Sequence, residues 1–350
     1  MAEAPKKNPI ALLTLARLRE SVREPGILFW VIAFPVFLSL GLGLAFRNPG
    51  PPTTTVGVLA GPGASPLVST LSKAGVEASE LQPETARERL RSGQIAMVIT
   101  ASSASAPDLV YRYDPARNES LMARAAVDQA LQKASGRKDV LTAKDELVTE
   151  PGSRYIDFLI PGLIGMNLMS GSMWGIGWHI ANLRVRKLLK RMLATPMKRR
   201  DLLIAQGLAR LVWAPLEVAT VAIVAWLAFD FRIHGSIGAI SLISLLGAAS
   251  FAAIAVLVAS RGQNAETVSG WMNAVMVPMF MLSGVFFSSS HYPDLIQPII
   301  NAMPLTALND ALRAVMLQGA GLVDVVPQLI VLGVWGLVSF AVGLKIFRWS

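Results

Sequence analysis

Between Ile27 and Phe46 the chain runs for 20 residues without a charged side chain. A helix of that length rises about 30 Å, enough to cross the hydrocarbon core of a bilayer. Five more such stretches follow, at Phe158–Leu183, Leu211–Phe229, Ile237–Ala259, Val268–Phe287 and Val325–Leu344, broken only by Glu217. Inside a membrane every backbone polar group needs a partner within the protein, and a run of some twenty residues meets that need as a helix. The expected fold class is therefore an α-helical polytopic membrane protein with six transmembrane helices. Only 16% of the residues are charged and the mean hydropathy is +0.50, whereas a soluble chain carries about 25% charged residues. The net charge of +9 does not argue for nucleic acid. The basic residues flank the apolar runs, where the positive-inside bias accounts for them. A cleaved signal peptide would have a shorter apolar region, about 7–15 residues, so residues 27–46 read as a retained first span.

The segments between the spans differ in kind. Residues 1–26 are polar and basic; Pro9 can open a short helix through LLTLARLRE, and Glu24-Pro25 ends it, which predicts a cytoplasmic interfacial helix. Residues 47–155 hold most of the acidic side chains and no spanning run. Strand-like stretches at 55–59, 94–100 and 109–113 alternate with helical ones at 66–73, 84–91 and 115–132. This predicts a small α+β domain between the first and second spans. Long loops translocate largely regardless of charge, so its Lys and Arg residues are compatible with an extracytoplasmic place. Residues 156–350 carry spans two to six. Within them, 288–324 contain apolar pieces too short or too proline-broken to cross, which predicts an outside re-entrant segment. Six spans put both termini in the cytoplasm.

The loop 184–200, RVRKLLKRMLATPMKRR, contains eight Lys and Arg residues. On a helical wheel Val185, Leu188, Leu189, Met192 and Leu193 share one side, while Arg184, Arg186, Lys187, Lys190 and Arg191 share the other. That is the pattern of an amphipathic helix, ended by Pro196. Such a helix either lies on the membrane surface or seats its apolar face on a partner.

The chemistry of catalysis is missing. No GxxxxGK[ST] phosphate loop and no GxSxG elbow occur, so the chain has no nucleotide site of that kind and does not read as an enzyme. It has no cysteine, and its three histidines, His179, His234 and His291, lack metal-site spacing. Glu217 is an ionisable group inside a span, which is costly and by default functional. The competing reading is that it faces a neighbouring helix as a neutral or hydrogen-bonded group, so that glutamine would serve. Arg210, seven residues earlier, lies on the same face and could snorkel to the inner surface. Spans two and five both carry Met and Asn, among them Asn167, Met169, Met173, Asn273 and Met276, a composition that suits an adaptable substrate path. The glycines 162, 165, 171, 175 and 177 allow close helix packing.

Four stretches together carry a family resemblance. RLRESVREPGILFWVIAFPVFLSLGLGLAF, YRYDPARNES, KLLKRMLATPMKRRDLLIAQ and LSGVFFSSSHYPDLIQPIINAMPLTALNDALR occur in the order and spacing seen in ABC-2 type permeases, the membrane subunits of bacterial ATP-binding-cassette exporters. The daunorubicin-type branch and its relatives are the most similar. The third stretch is similar to that family's coupling-helix loop. The last ends in a P-L-T-x-x-x-D-A-L-R pattern made by Pro304, Leu305, Thr306, Asp310, Ala311, Leu312 and Arg313. Ser288 departs from the family's proline at that turn.

The resemblance implies a multi-pass protein of the bacterial inner membrane that works as a homodimer or related heterodimer with two cytoplasmic ABC ATPase subunits. ATP and Mg would be held in those partners, with no cofactor and no metal in this chain. It implies that Arg184, Lys187, Leu188, Leu189, Arg191, Met192 and Leu193 contact the ATPase, and that spans two and five line the substrate path. Relatives export drugs, lipids, polysaccharide and ions, so the resemblance does not choose a substrate; an apolar drug or lipid-like molecule is the class favoured. Two other classes remain open on the sequence: a membrane-anchored structural or signalling protein with an outside binding domain, and an ion-coupled secondary transporter using Glu217. Internal repeats, common in the latter, are absent here.

Overall fold

The computed structural model describes residues 8–45, 55–61, 63–101, 109–137, 154–194 and 198–348. In chain order these hold α1 (Pro9–Arg23), an interrupted helix α2 (residues 25–45), β1 (Thr55–Leu59), α3 (Ala64–Lys73), β2 (Glu77–Leu81), α4 (Pro83–Arg91), β3 (Met97–Ala101), β4 (Leu109–Tyr113) and α5 (Asn118–Ala134). They continue with α6 (Tyr155–Val185), α7 (Leu188–Leu193), α8 (Arg199–Phe229), α9 (Ile237–Ala259), α10 (Ala265–Leu282), α11 (Gln297–Asn301), α12 (Pro304–Gln318) and α13 (Val326–Ile346). The chain divides into two compact units, residues 48–147 and the remainder.

The smaller unit is a four-stranded sheet in the order β2-β1-β3-β4, with β1 parallel to both neighbours and β4 antiparallel to β3. The β1–α3–β2 and β2–α4–β3 connections step in opposite directions across the sheet. Right-handed crossovers then place α3 and α4 on opposite faces. The alternation of the strands agrees: Val56, Val58, Met97 and Ile99 face α3 and α5, and Val98 packs with Leu81 and Ala86 on the other face. Strand β2, EASEL, is absent from the sequence reading. It is a polar edge strand with two glutamates, so neither β propensity nor a buried face marks it.

Among the described residues of the larger unit four helices are long and apolar enough to cross a membrane: α6, α8, α9 and α13. Six were expected. The expected first span begins as a short α-helix, passes through a π segment at Phe29–Ala33, and leaves Phe34–Ala45 as its longest regular apolar piece. The expected fifth span, 268–287, is α10. It starts earlier and stops at Leu282, where Gly284 takes a left-handed φ of 68°. Helix α8 runs 31 residues from Arg199, twelve before the expected third span, so it also carries the chain up from the basic loop.

Helix α6 is the hub, and its glycines explain why. Each of four lacks the side chain that a neighbour would strike. A Cβ at Gly162 would meet the Val285 carbonyl at 2.7 Å, at Gly171 it would meet Arg210 Nη2 at 2.8 Å, and at Gly177 it would meet Met272 Sδ at 2.6 Å. At Gly165 it would overlap Asn309 Oδ1. Small residues thus admit one long or polar side chain each from α8, α10 and α12.

Helix α12 is buried along ten positions from Pro304 to Met316. Its polar residues pin the neighbouring turns. Asn309 Nδ2 donates to the Ser283 carbonyl at 3.0 Å, and Arg313 donates to the carbonyls of Phe158 and Gly284 while stacking 3.9 Å from the Phe158 ring centroid. Trp335 Nε1, nine residues into α13, donates to the Ala302 carbonyl at 2.8 Å. At 1.5 Å per residue, the turn before α12 therefore sits about 13 Å along α13 from its start, and α12 climbs back until the Met316 carbonyl accepts from His234 N at 3.0 Å.

Candidate transport and coupling site

Two ionisable residues within α8, Arg210 and Glu217, meet at one buried point. Glu217 and Arg210 lie two turns apart on α8. Cα–Cβ bonds tilt toward a helix's N-terminus, so Glu217 leans back toward the longer Arg210. Arg210 Nη1 donates to Glu217 Oε1 at 2.5 Å and Nη2 to Oε2 at 2.6 Å. Nη2 also donates to the Leu168 carbonyl at 3.1 Å and Nε to Ser172 Oγ at 2.9 Å. Ser172 Oγ in turn donates to the Leu168 carbonyl at 2.7 Å. Glu217 is 1% exposed and Arg210 6%. The expectation that Arg210 snorkels to the surface is therefore replaced by a buried bidentate pair. Glu217 is hydrogen-bonded, and its partner is Arg210 on its own helix. The seven-residue spacing was visible in the sequence, but it reads as about 10 Å along the axis until side-chain reach is counted.

The basic loop is less regular than its pattern. Helix α6 ends at Val185. Lys187 takes a left-handed φ of 56°, and a new six-residue helix begins at Leu188. The break separates Arg184 and Val185 from the remaining members of the expected single amphipathic helix. Arg184 turns inward. It donates to the carbonyls of Ala259 at 2.9 Å, Ser260 at 3.2 Å, Gly262, and Arg348 at 2.9 Å, with its guanidinium 5.4 Å from the Phe347 ring centroid. One is the last carbonyl of α9 and the others lie just past the ends of α9 and α13, so Arg184 is an internal cap and leaves the contact surface. Val185 is exposed, whereas Leu189 is only 2% exposed. Leu188 and Met192 are half-buried, and Lys187, Lys190 and Arg191 face outward. Side-chain placement of Leu193, and everything from 195 to 197, lies outside the described residues.

The methionine-rich path residues are brought together by α6 and α10 but packed closed within the protomer. Met169, Met173, Met272 and Met276 are buried in the main core, Asn167 is 5% exposed, and Asn273 lies on the exposed side of α10. Sequence reasoning missed the contribution of α1. Its packed face is polar: Arg17 and Ser21 are buried while Leu12 and Leu15 are exposed. Arg17 Nη2 donates to the Gly175 carbonyl at 2.8 Å, inside a π-helical stretch of α6 at Met173–Trp178, and Glu20 lies 3.7 Å from His179 Nδ1. A π segment disturbs the regular ladder and is frequently found at functional sites. Periodicity could not reveal this face, because hydrophobicity pointed the other way.

Comparison with known proteins agrees with this architecture. Nodulation protein J of Bradyrhizobium diazoefficiens is 26% identical over 202 residues, 56% of this chain and 75% of the relative. Nodulation protein J of Sinorhizobium fredii is 25% identical over 182 residues, 65% of its length. ABC transporter G family member 20 of Dictyostelium discoideum is 23% identical over 185 residues, a stretch that makes up 25% of that protein. Residues 25–345 match the family described as ABC-2 family transporter protein. With nearly the whole chain inside that match and several long apolar helices in the fold, the chain belongs to the ABC-2 family as a multi-pass membrane component of an ABC transporter.

Proposed function

We propose that this chain is the membrane subunit of an exporter driven by a separate cytoplasmic ABC ATPase, working as a dimer of permease chains in a bacterial inner membrane. The family match over residues 25–345 carries the reading. The sequence supports it: no phosphate loop occurs, so ATP and Mg belong to a partner and energy arrives through a surface. The exposed cations Lys187, Lys190 and Arg191 around α7 are the contact we assign to that partner, with Leu188 and Met192 half-covered beside them. Leu189 and Arg184 act inside the protomer, holding the loop at a fixed angle. The topology proposed has six crossings, α2 and α10 being the two shorter ones, with both termini cytoplasmic and residues 47–155 outside. The substrate class favoured by an apolar, Met-lined path is a drug or lipid-like molecule, and Asn273 on the exposed side of α10 is its candidate polar contact.

Two experiments test this. Co-purification with the ATPase encoded beside this chain should succeed for the native loop and fail for Lys187→Glu/Lys190→Glu/Arg191→Glu, with membrane insertion unchanged. Equal recovery of the ATPase with the triple variant overturns the contact. Labelling of Ser92→Cys, an exposed residue in a chain free of native cysteine, should occur only from the outside face; labelling only from the cytoplasm overturns the topology.

A further inference from the structure

An apolar groove of about 430 Å³ opens between α8 and α13, with α9 as its floor. It is separate from the methionine contacts of α6 and α10. Its walls are Ile204, Gly207 and Leu211 of α8 and Gly333 and Leu337 of α13, with Ala253 of α9 beneath. These helices all cross the membrane domain, so whatever fills the groove must be apolar along the chain direction.

The charges decide between occupants. On α8 the lining positions 204, 207 and 211 continue one turn back to Arg200, in the same helical phase, and Arg200 is 65% exposed with only a 4.0 Å approach to Asp201. On α13 the helix ends at Ile346, Phe347 is extended, and the exposed Arg348 follows it at the same end of the groove's walls. Its backbone is fixed at the end of α9, because Arg348 N donates to the Ser260 carbonyl at 2.9 Å and its own carbonyl accepts from Arg184. Helix α8 begins, and α13 ends, at the same side of the membrane. The groove is thus an apolar channel with one cation near the start of α8 and another just past the end of α13, both toward one end.

We propose that this groove binds one acyl chain of an anionic phospholipid whose headgroup phosphate sits between Arg200 and Arg348. A helix of a second copy would bring an apolar surface but no anion to that mouth. A lipid brings both, and cations at a membrane surface favour anionic headgroups by roughly five-fold per residue. Gly207 and Gly333 keep the groove open: a Cβ at either would meet nothing within 4 Å. A leucine at either position therefore has open space at its Cβ and projects its side chain from a groove-lining position.

The test is native mass spectrometry of the full chain released from vesicles of phosphatidylcholine and phosphatidylglycerol in equal parts. The native protein should retain phosphatidylglycerol preferentially. Gly207→Leu/Gly333→Leu should lose the retained lipid, and Arg200→Gln and Arg348→Gln should each lower the preference for phosphatidylglycerol by about five-fold while leaving some lipid bound. The arginine variants remove exposed side chains, so they report even if the double leucine variant folds poorly. Retention of both lipids alike by the native chain, or an unchanged preference in both arginine variants, overturns the proposal. A change of oligomeric mass in the leucine variant without loss of lipid also overturns it and assigns the groove to a second copy.

Discussion

Arg210 and Arg184, two of the buried arginines in the membrane unit, are satisfied in opposite ways. Arg210 lies deep between helices and holds a full counter-charge, Glu217, through both guanidinium nitrogens. Arg184 lies at the ends of α9 and α13 and meets no carboxylate among the described residues; four backbone carbonyls receive it. Helix C-termini carry partial negative charge, so a cation there is neutralised by dipoles that the fold supplies anyway. Mid-helix, the carbonyls already accept from the i−4 ladder, so the Leu168 carbonyl gives Arg210 only a shared bond and the charge itself is answered by Glu217. The comparison teaches that depth decides whether a buried cation needs a named partner in the sequence.

The largest effect is expected where the counter-charge is removed. Glu217→Leu alone should leave Arg210 uncompensated and destabilise by about 3–5 kcal/mol, while Arg210→Met/Glu217→Leu should recover most of that loss. Glu217→Gln keeps one hydrogen bond and loses the charge, so it should fall between. Thermal unfolding of the detergent-solubilised protein reads all three. Equal stability of the single and double variants would break the comparison by showing that the pair is not coupled.

Arg184→Met should cost about 2–3 kcal/mol, spread over several carbonyls that water can partly reach. Hydrogen exchange should rise at Ser260 and Arg348 and stay unchanged around Leu168. Faster exchange at Leu168 would mean that the two arginines share one network.

Arg313 sharpens the contrast, because it mixes both modes. It meets the carbonyls of Phe158 and Gly284, an aromatic ring, and Asp310 at 3.6 Å. Arg313→Met should cost about 1–2 kcal/mol, and Asp310→Asn less than half of that, since the carboxylate is only one of several partners. An Asp310 variant as damaging as the arginine variant would place Arg313 with Arg210 instead.

The smallest stability effect belongs to the exposed cations. Lys187→Ala/Lys190→Ala/Arg191→Ala should leave unfolding within about 0.5 kcal/mol of the native chain, as surface substitutions do. A larger loss in the chain alone would show that α7 is held by its charges rather than by Leu189.

Much of this molecule was legible because its long helices announce themselves. The run Ile237–Ala259 has the same ends in sequence and structure, and Glu217 was conspicuous as a carboxylate in an apolar run. The glycines of α6 were visible as small residues, but which neighbour each admits depends on contacts far apart in the chain. Arg184 was illegible for a plain reason. It sits in a run of cations and differs from them only in the carbonyls it reaches, 75 and more residues away. The loop's helical wheel assumed one unbroken helix, and a single left-handed residue at Lys187 undid it. Strand β2 and the packed face of α1 escaped because both are polar, and pattern reading follows apolar residues.

The π segment at Met173–Trp178 bears on how this chain tolerates length changes. A π turn accommodates one more residue than the α turn it interrupts. Everything after it on α6 is therefore rotated by about 100° relative to an uninterrupted helix. Arg184 follows the segment and the Arg210 contacts at Leu168 and Ser172 precede it, so the extra residue works as a vernier that brings both arginine clusters into register at once. Deleting one residue between 173 and 178 would restore a regular helix and keep the composition nearly intact, yet swing the Arg184 guanidinium a quarter turn away from its carbonyls. Sequence comparison across this stretch should accordingly tolerate substitutions more readily than gaps.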